Sequence, residues 1–148
     1  MVPFIVLLIA FAVLRCAGLL GVAALNNLDL PLRIALLLMF LVAASAHWGK
    51  GRPDLIRMVP PAFRIAGTLV SVTGVLEILG ALGLLIPATI RLAAVCLAIL
   101  LLAIFPANVR AAREGLTIMG RPAPSILVRG AIQVVFLLAL IVVIVQRR

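Results

Sequence analysis

Acidic side chains are scarce: four of the 148 residues are Asp or Glu, and there is one histidine, one tryptophan and two cysteines. One histidine with no acidic pair and no Cys/His ligand spacing excludes a zinc or haem site built from this chain alone. Cys16 and Cys96 form neither a disulfide framework nor a CxxC exchange centre, and they read as small packing residues on different helices. Charge of either sign is thin, at 11% of residues against about 25% in a soluble domain. Apolar residues fill that space, at 66% against roughly 45–50%, and the mean hydropathy is +1.39. These values exclude a water-soluble enzyme or nucleic-acid-binding domain. The net charge of +9 does not argue for DNA, because the basic residues stand between long apolar runs, where they face anionic lipid headgroups.

A bilayer core of about 30 Å takes about 20 apolar residues of helix. Five segments qualify: residues 2–25, 32–48, 65–86, 91–109 and 126–145. Lipid leaves the backbone no outside partner, so the expected fold is all-α, a polytopic transmembrane helical bundle in one membrane domain. Asn26, Asn27, Asp29 and Pro31 mark one tight turn, and Pro87 marks another. Two longer connections remain, 49–64 and 110–125. In the first, Leu55, Ile56, Met58 and Val59 suit an interfacial turn of helix that ends before Pro60 and Pro61. The first segment lacks the basic start and the small-residue cleavage site of a signal peptide, and Arg15 beside Cys16 argues against a lipoprotein cysteine, so a retained helix is expected.

Counting Lys and Arg gives the orientation. One side of the bundle carries Lys50, Arg52, Arg57, Arg64, Arg110, Arg113, Arg121 and Arg129; the other carries Arg33, Arg91, Arg147 and Arg148. The positive-inside rule places the first side and the N-terminus in the cytoplasm of a multi-pass cell-membrane protein.

Ionisable groups in the bilayer cost about 2.5–3.5 kcal/mol each on insertion scales and are candidate functional residues by default. Arg15 and Glu77 both fall about 14–15 Å from the same end of their segments by helix rise, so an Arg15–Glu77 ion pair is expected, with Thr73 one turn from the glutamate. That pair reads either as a clamp or as a proton or substrate site. A second cluster, toward the basic side, gathers His47 and Trp48 with Asn108 and Gln133 from three helices, read either as an interfacial anchor or as a ligand site. The glycines of 67–83, with Gly18 and Gly21, suit close helix packing and make 65–86 the expected central helix.

The run VSVTGVLEILGALGLLIPATIRLAA (70–94), followed by LAIFPANV (102–109) and preceded by SAHWGK (45–50), resembles the DoxX-like family of small membrane proteins over about residues 33–145. The resemblance implies a four-helix core to which the first segment is added. It also carries His47, Glu77, Arg91, Asn108 and Gln133 over as the matching polar positions. Family members are associated with terminal oxidase and thiosulfate:quinone oxidoreductase systems, some through cysteine pairs that this chain lacks. The expectation is therefore a redox-associated subunit holding a quinone-like or other lipophilic molecule, with a membrane or peripheral redox protein as partner. An assembly or scaffold subunit docked through its basic loops, and a small transporter coupled to protons at Glu77, are the alternatives. Apolar walls with a few convergent polar groups are what a quinone headgroup requires.

Overall fold

The computed structural model of the chain describes residues 1–146, so the expected placement of Arg147 and Arg148 lies outside the described residues. Five long helices form the bundle: α1 (Val2–Leu19), α2 (Asp29–Ser45), α4 (Ala66–Gly83), α5 (Ile90–Arg113) and α6 (Ile126–Gln146). The two long connections hold a short helix, α3 (Arg52–Met58), and a hairpin of β1 (Thr117–Ile118) and β2 (Arg121–Pro122), with Thr117 opposite Pro122. Helices α1, α4, α5 and α6 are long and apolar enough to cross a membrane. The fold is all-α, as a chain this apolar requires.

Several boundaries differ from the sequence expectation. Helix α1 stops at Leu19 rather than residue 25, because Gly21 takes a φ of 113°, in the left-handed region that glycine favours, and a 3-10 turn (Ala23–Leu25) follows. Helix α2 begins earlier, at Asp29, since Pro31 falls in its first turn where a missing N–H is tolerated. It ends at Ser45, which leaves His47 and Trp48 in the turn beyond. Helix α5 runs through Pro106 to Arg113 instead of ending at 109.

The central helix is α2, not the 65–86 segment. Its Ala35, Leu36, Met39 and Phe40 are wholly buried, in a core shared with Leu7 of α1, Ala81 of α4, Leu97 of α5 and Leu140 of α6. At seventeen residues, about 26 Å, α2 is the shortest of the five. The outer faces of the other four carry most of the exposed large apolar side chains, among them Ile9, Leu79, Ile99 and Leu138. Cys16 and Cys96 are exposed on those outer faces and are not packing residues of the interior.

Helices α2 and α4 run antiparallel, and two side chains fix their register. Near one end the Arg33 Nη1 donates to the Leu84 carbonyl at 3.0 Å; near the other, His47 Nδ1 lies 2.5 Å from the Val70 carbonyl. Positions 33 and 47 on one side of the pair and 84 and 70 on the other are the same fourteen-residue interval in opposite senses, about 21 Å of rise. Sliding either helix by one residue breaks both bonds.

Candidate functional site

His47 continues the last turn of α2, its N–H bonded to the Ala44 carbonyl at 2.9 Å. Side chains on a helix lean toward its N-terminus, so His47 leans along α2 toward Asp29. Glu77, on antiparallel α4, leans the opposite way, and the two converge. The His47 Nε2 lies 3.6 Å from Glu77 Oε2, with His47 at 8% and Glu77 at 4% exposure.

The hydrogen-bond pattern fixes the role of one imidazole nitrogen. A carbonyl only accepts, so the His47 Nδ1 facing Val70 must carry a hydrogen. Nε2 is then either a bare acceptor or the second N–H of an imidazolium. Whichever form it takes, Nε2 is the ring nitrogen that faces the Glu77 carboxyl group. At 3.6 Å the gap exceeds a hydrogen bond by about 0.7 Å. Glu77 Oε2 is consequently buried with no hydrogen-bond partner among the described residues. An unpartnered acceptor in an apolar bundle is costly, which marks this atom as the one poised to take a donor.

The surroundings shape this pair. Thr73 Oγ1 donates to the Leu69 and Val70 carbonyls at 2.9 and 3.1 Å and stands 3.5 Å from His47 Nδ1. Gly74 provides the notch: a Cβ there would lie 2.7 Å from His47 Cγ and 2.8 Å from Trp48 Cη2. The Trp48 ring centroid is 6.0 Å from that of His47, and the indole is half exposed, so it forms the rim. Arg52 ties the turn down, donating to the His47 carbonyl at 2.8 Å and to the Gly67 carbonyl at 3.1 Å.

The expected Arg15–Glu77 pair does not form. Because α1 ends at Leu19, Arg15 lies one turn from the helix end rather than at the midplane, and it donates to the Leu25 and Asn27 carbonyls at 2.9 and 3.0 Å. It caps the turn between α1 and α2. The expected link of His47 to Asn108 and Gln133 is replaced by separate contacts. Gln133 Nε2 donates to the Leu101 carbonyl at 2.7 Å, and Asn108 Oδ1 accepts from Arg129 Nη1 at 2.5 Å, both joining α5 to α6. Arg91 is exposed in the first turn of α5, with no hydrogen bond among the described residues. Of the candidate residues, the structure thus brings His47, Trp48, Thr73 and Glu77 together and leaves Arg15, Arg91, Asn108 and Gln133 elsewhere.

Three arginines carry more than their sequence positions suggested. Arg33, expected at the headgroups, is buried and pairs with Asp29 at 2.8 Å; the i,i+4 spacing was the available signal. Arg52 and Arg129 bond across elements, which no local pattern announces.

Residues 34–146 match the model of a family described as a domain of unknown function, DUF8561. No curated protein and no solved structure matches the chain. The matched range begins within α2 and includes the whole His47–Glu77 pair, while Arg15 and the whole α1–α2 turn fall outside it.

Proposed function

The chain belongs to the DUF8561 family, and we propose that it is a redox-associated membrane subunit that receives a quinone-like lipophilic molecule and exchanges one proton with it at His47 and Glu77. The observation that carries this reading is the buried imidazole–carboxyl pair, with Nδ1 tied to the Val70 carbonyl, Nε2 turned toward Glu77, and Glu77 Oε2 without a hydrogen-bond partner among the described residues. A quinone headgroup presents carbonyl oxygens that need a donor when reduced and a hydroxyl that needs an acceptor when oxidised, and it supplies the electron chemistry when bound. The chain's own contribution is protonic. Val70 holds Nδ1–H in place, so proton traffic is confined to Nε2 and Oε2. Trp48 at the rim offers an apolar face to a flat ring, and Thr73 keeps the α4 backbone oxygens satisfied beside it.

The DoxX-like resemblance of 70–94 and 102–109 supports the same class of partner, a membrane or peripheral redox protein that delivers or takes the electrons. The two-to-one excess of Lys and Arg supports an orientation with the long connections in the cytoplasm.

The chain has one tryptophan and no tyrosine, so intrinsic fluorescence reports the site directly. Titrating a short-chain benzoquinone into the purified protein is expected to quench Trp48 saturably. His47→Ala and Glu77→Gln should weaken that binding by at least tenfold, since each removes one side of the proton-exchanging pair. Linear, non-saturable quenching identical in all three proteins would refute the proposal.

A further inference from the structure

The two long connections are not independent loops. Asp54 Oδ2 in α3 accepts the Met119 N–H at the hairpin tip at 2.7 Å, and Arg57 bonds both Asp54 and the Thr117 carbonyl. Arg110 in the last turns of α5 bonds the Val59 carbonyl just past α3, and Glu114 as well. These contacts latch α3, the hairpin and the end of α5 into one platform.

Its polar groups are unevenly used. Asp54 and Glu114 are the acids of this platform, and both are already paired, with Arg57 and Arg110. Lys50, Arg64, Arg113 and Arg121 are exposed, and their side chains have no acidic or hydrogen-bonding partner among the described residues. Between them stand exposed apolar side chains: Phe63 and Ile65 flank Arg64, and Met119 is 65% exposed at the hairpin tip. Met119 has a φ of 49° and Gly120 a φ of 76°, the type I′ geometry that favours Asn or Gly at the first position. A bulky apolar residue held there, in the left-handed region and facing out, costs conformational energy with no intramolecular contact to offset it.

Height along the bundle identifies the surroundings. Helix α5 is 24 residues, about 36 Å, against a hydrocarbon core of about 30 Å. With its Ile90 end at the opposite boundary of the core, its Arg113 end projects about 6 Å, within a headgroup layer of roughly 5–8 Å on each side. A nucleic acid or a soluble acidic partner would meet the cations alone. Cations interleaved with Phe63, Ile65 and Met119 at this depth fit a surface that presents phosphates above glycerol and acyl chains.

We propose that the latched platform is a recognition surface for anionic phospholipid, with Lys50, Arg64, Arg113 and Arg121 on the headgroup phosphates and Phe63 and Met119 in the layer beneath. The platform is continuous with the site, because Arg52, the first residue of α3, also holds the His47 carbonyl.

The test is the lipid retained by the full-length protein when purified from vesicles of equal phosphatidylglycerol and phosphatidylcholine, quantified by mass spectrometry. A cation at an anionic surface contributes about fivefold. Allowing for screening, the four together should give at least tenfold preference for phosphatidylglycerol. Arg64→Gln/Arg113→Gln/Arg121→Gln should bring this near parity without changing the thermal midpoint by more than surface substitutions usually do. Asp54→Asn separates geometry from charge: it raises the net positive charge by one but replaces one of the two acceptors that hold Arg57 and the Met119 N–H with a donor, so the latch weakens and the preference should fall. Equal retention of the two lipids by the wild type would overturn the proposal. So would a triple variant that keeps the preference, an Asp54→Asn variant that gains it, or displacement of phosphatidylglycerol by millimolar inorganic phosphate.

Discussion

Gly74→Ala is the substitution that most sharply probes how α2 meets α4. The added Cβ would stand 2.7 Å from His47 Cγ, 2.8 Å from His47 Cβ and 2.8 Å from Trp48 Cη2, where ordinary contact is 3.4–4 Å. Roughly 0.7–1 Å must be absorbed, and the imidazole is held by Val70 while Arg52 holds its carbonyl. Overpacking of this kind costs about 1–3 kcal/mol. Alanine is a better helix residue than glycine by about 1 kcal/mol, which partly offsets that cost. Gly130→Ala is the internal control, since Gly130 lies inside α6 with nothing within 4 Å of a Cβ and should show only the gain. The expected gap between the two variants is therefore about 1–3 kcal/mol, the size of the steric cost alone. Unfolding in mixed micelles measures it, with Trp48 emission as a second readout. If Gly74→Ala matches Gly130→Ala in stability and leaves Trp48 emission unchanged, the close approach of His47 to α4 is wrong.

Other expectations concern single contacts. Arg15→Leu and Glu77→Leu should have additive effects within about 0.3–0.5 kcal/mol, because they share no partner, whereas His47→Ala and Glu77→Leu should couple by about 0.5–3 kcal/mol; thermal-stability cycles in detergent separate the two cases. Met119→Asn, in a conformation asparagine adopts readily, should stabilise the protein by about 0.5–1 kcal/mol in the same assay, and a loss of stability would contradict the assigned turn. The Met119 N–H and the Arg57 guanidinium hold the Asp54 carboxyl below its usual range. A depressed folded-state value means the latch contributes fully above the ordinary aspartate range and is lost as pH falls through the lowered one. The Met119 amide resonance should therefore stay constant from neutral pH to the ordinary aspartate range and move only below it; movement near pH 6 would exclude Asp54 as its partner.

The sequence made the bundle legible because its signal is gross: apolar runs of the right length leave the backbone no choice but helix. Helix ends were less legible, and the site depended on them. Measuring depth from assumed ends put Arg15 level with Glu77, but the apolar run from 20 to 25 conceals the chain reversal at Gly21, whose φ of 113° ends α1 early. His47 looked like a mouth residue for the same reason. It lies just past the end of a short helix whose register against α4, fixed by Arg33 and His47 together, sets it beside Val70 and within reach of Glu77. The glycine that admits it, Gly74, was visible as one small residue among several, and nothing in the sequence distinguished it from Gly67 or Gly80. Long-range bonds from Arg52 and Arg129 to other elements leave no periodic trace at all.

Organic extraction of the protein purified directly from its membrane most directly tests whether His47 and Glu77 serve a quinone-like molecule. The wild type should release a quinone at close to one per chain, and Glu77→Gln, matched for folding by Trp48 emission, should release little. Wild-type protein that carries no lipophilic redox molecule, or a Glu77→Gln variant that carries as much as the wild type, would contradict the account.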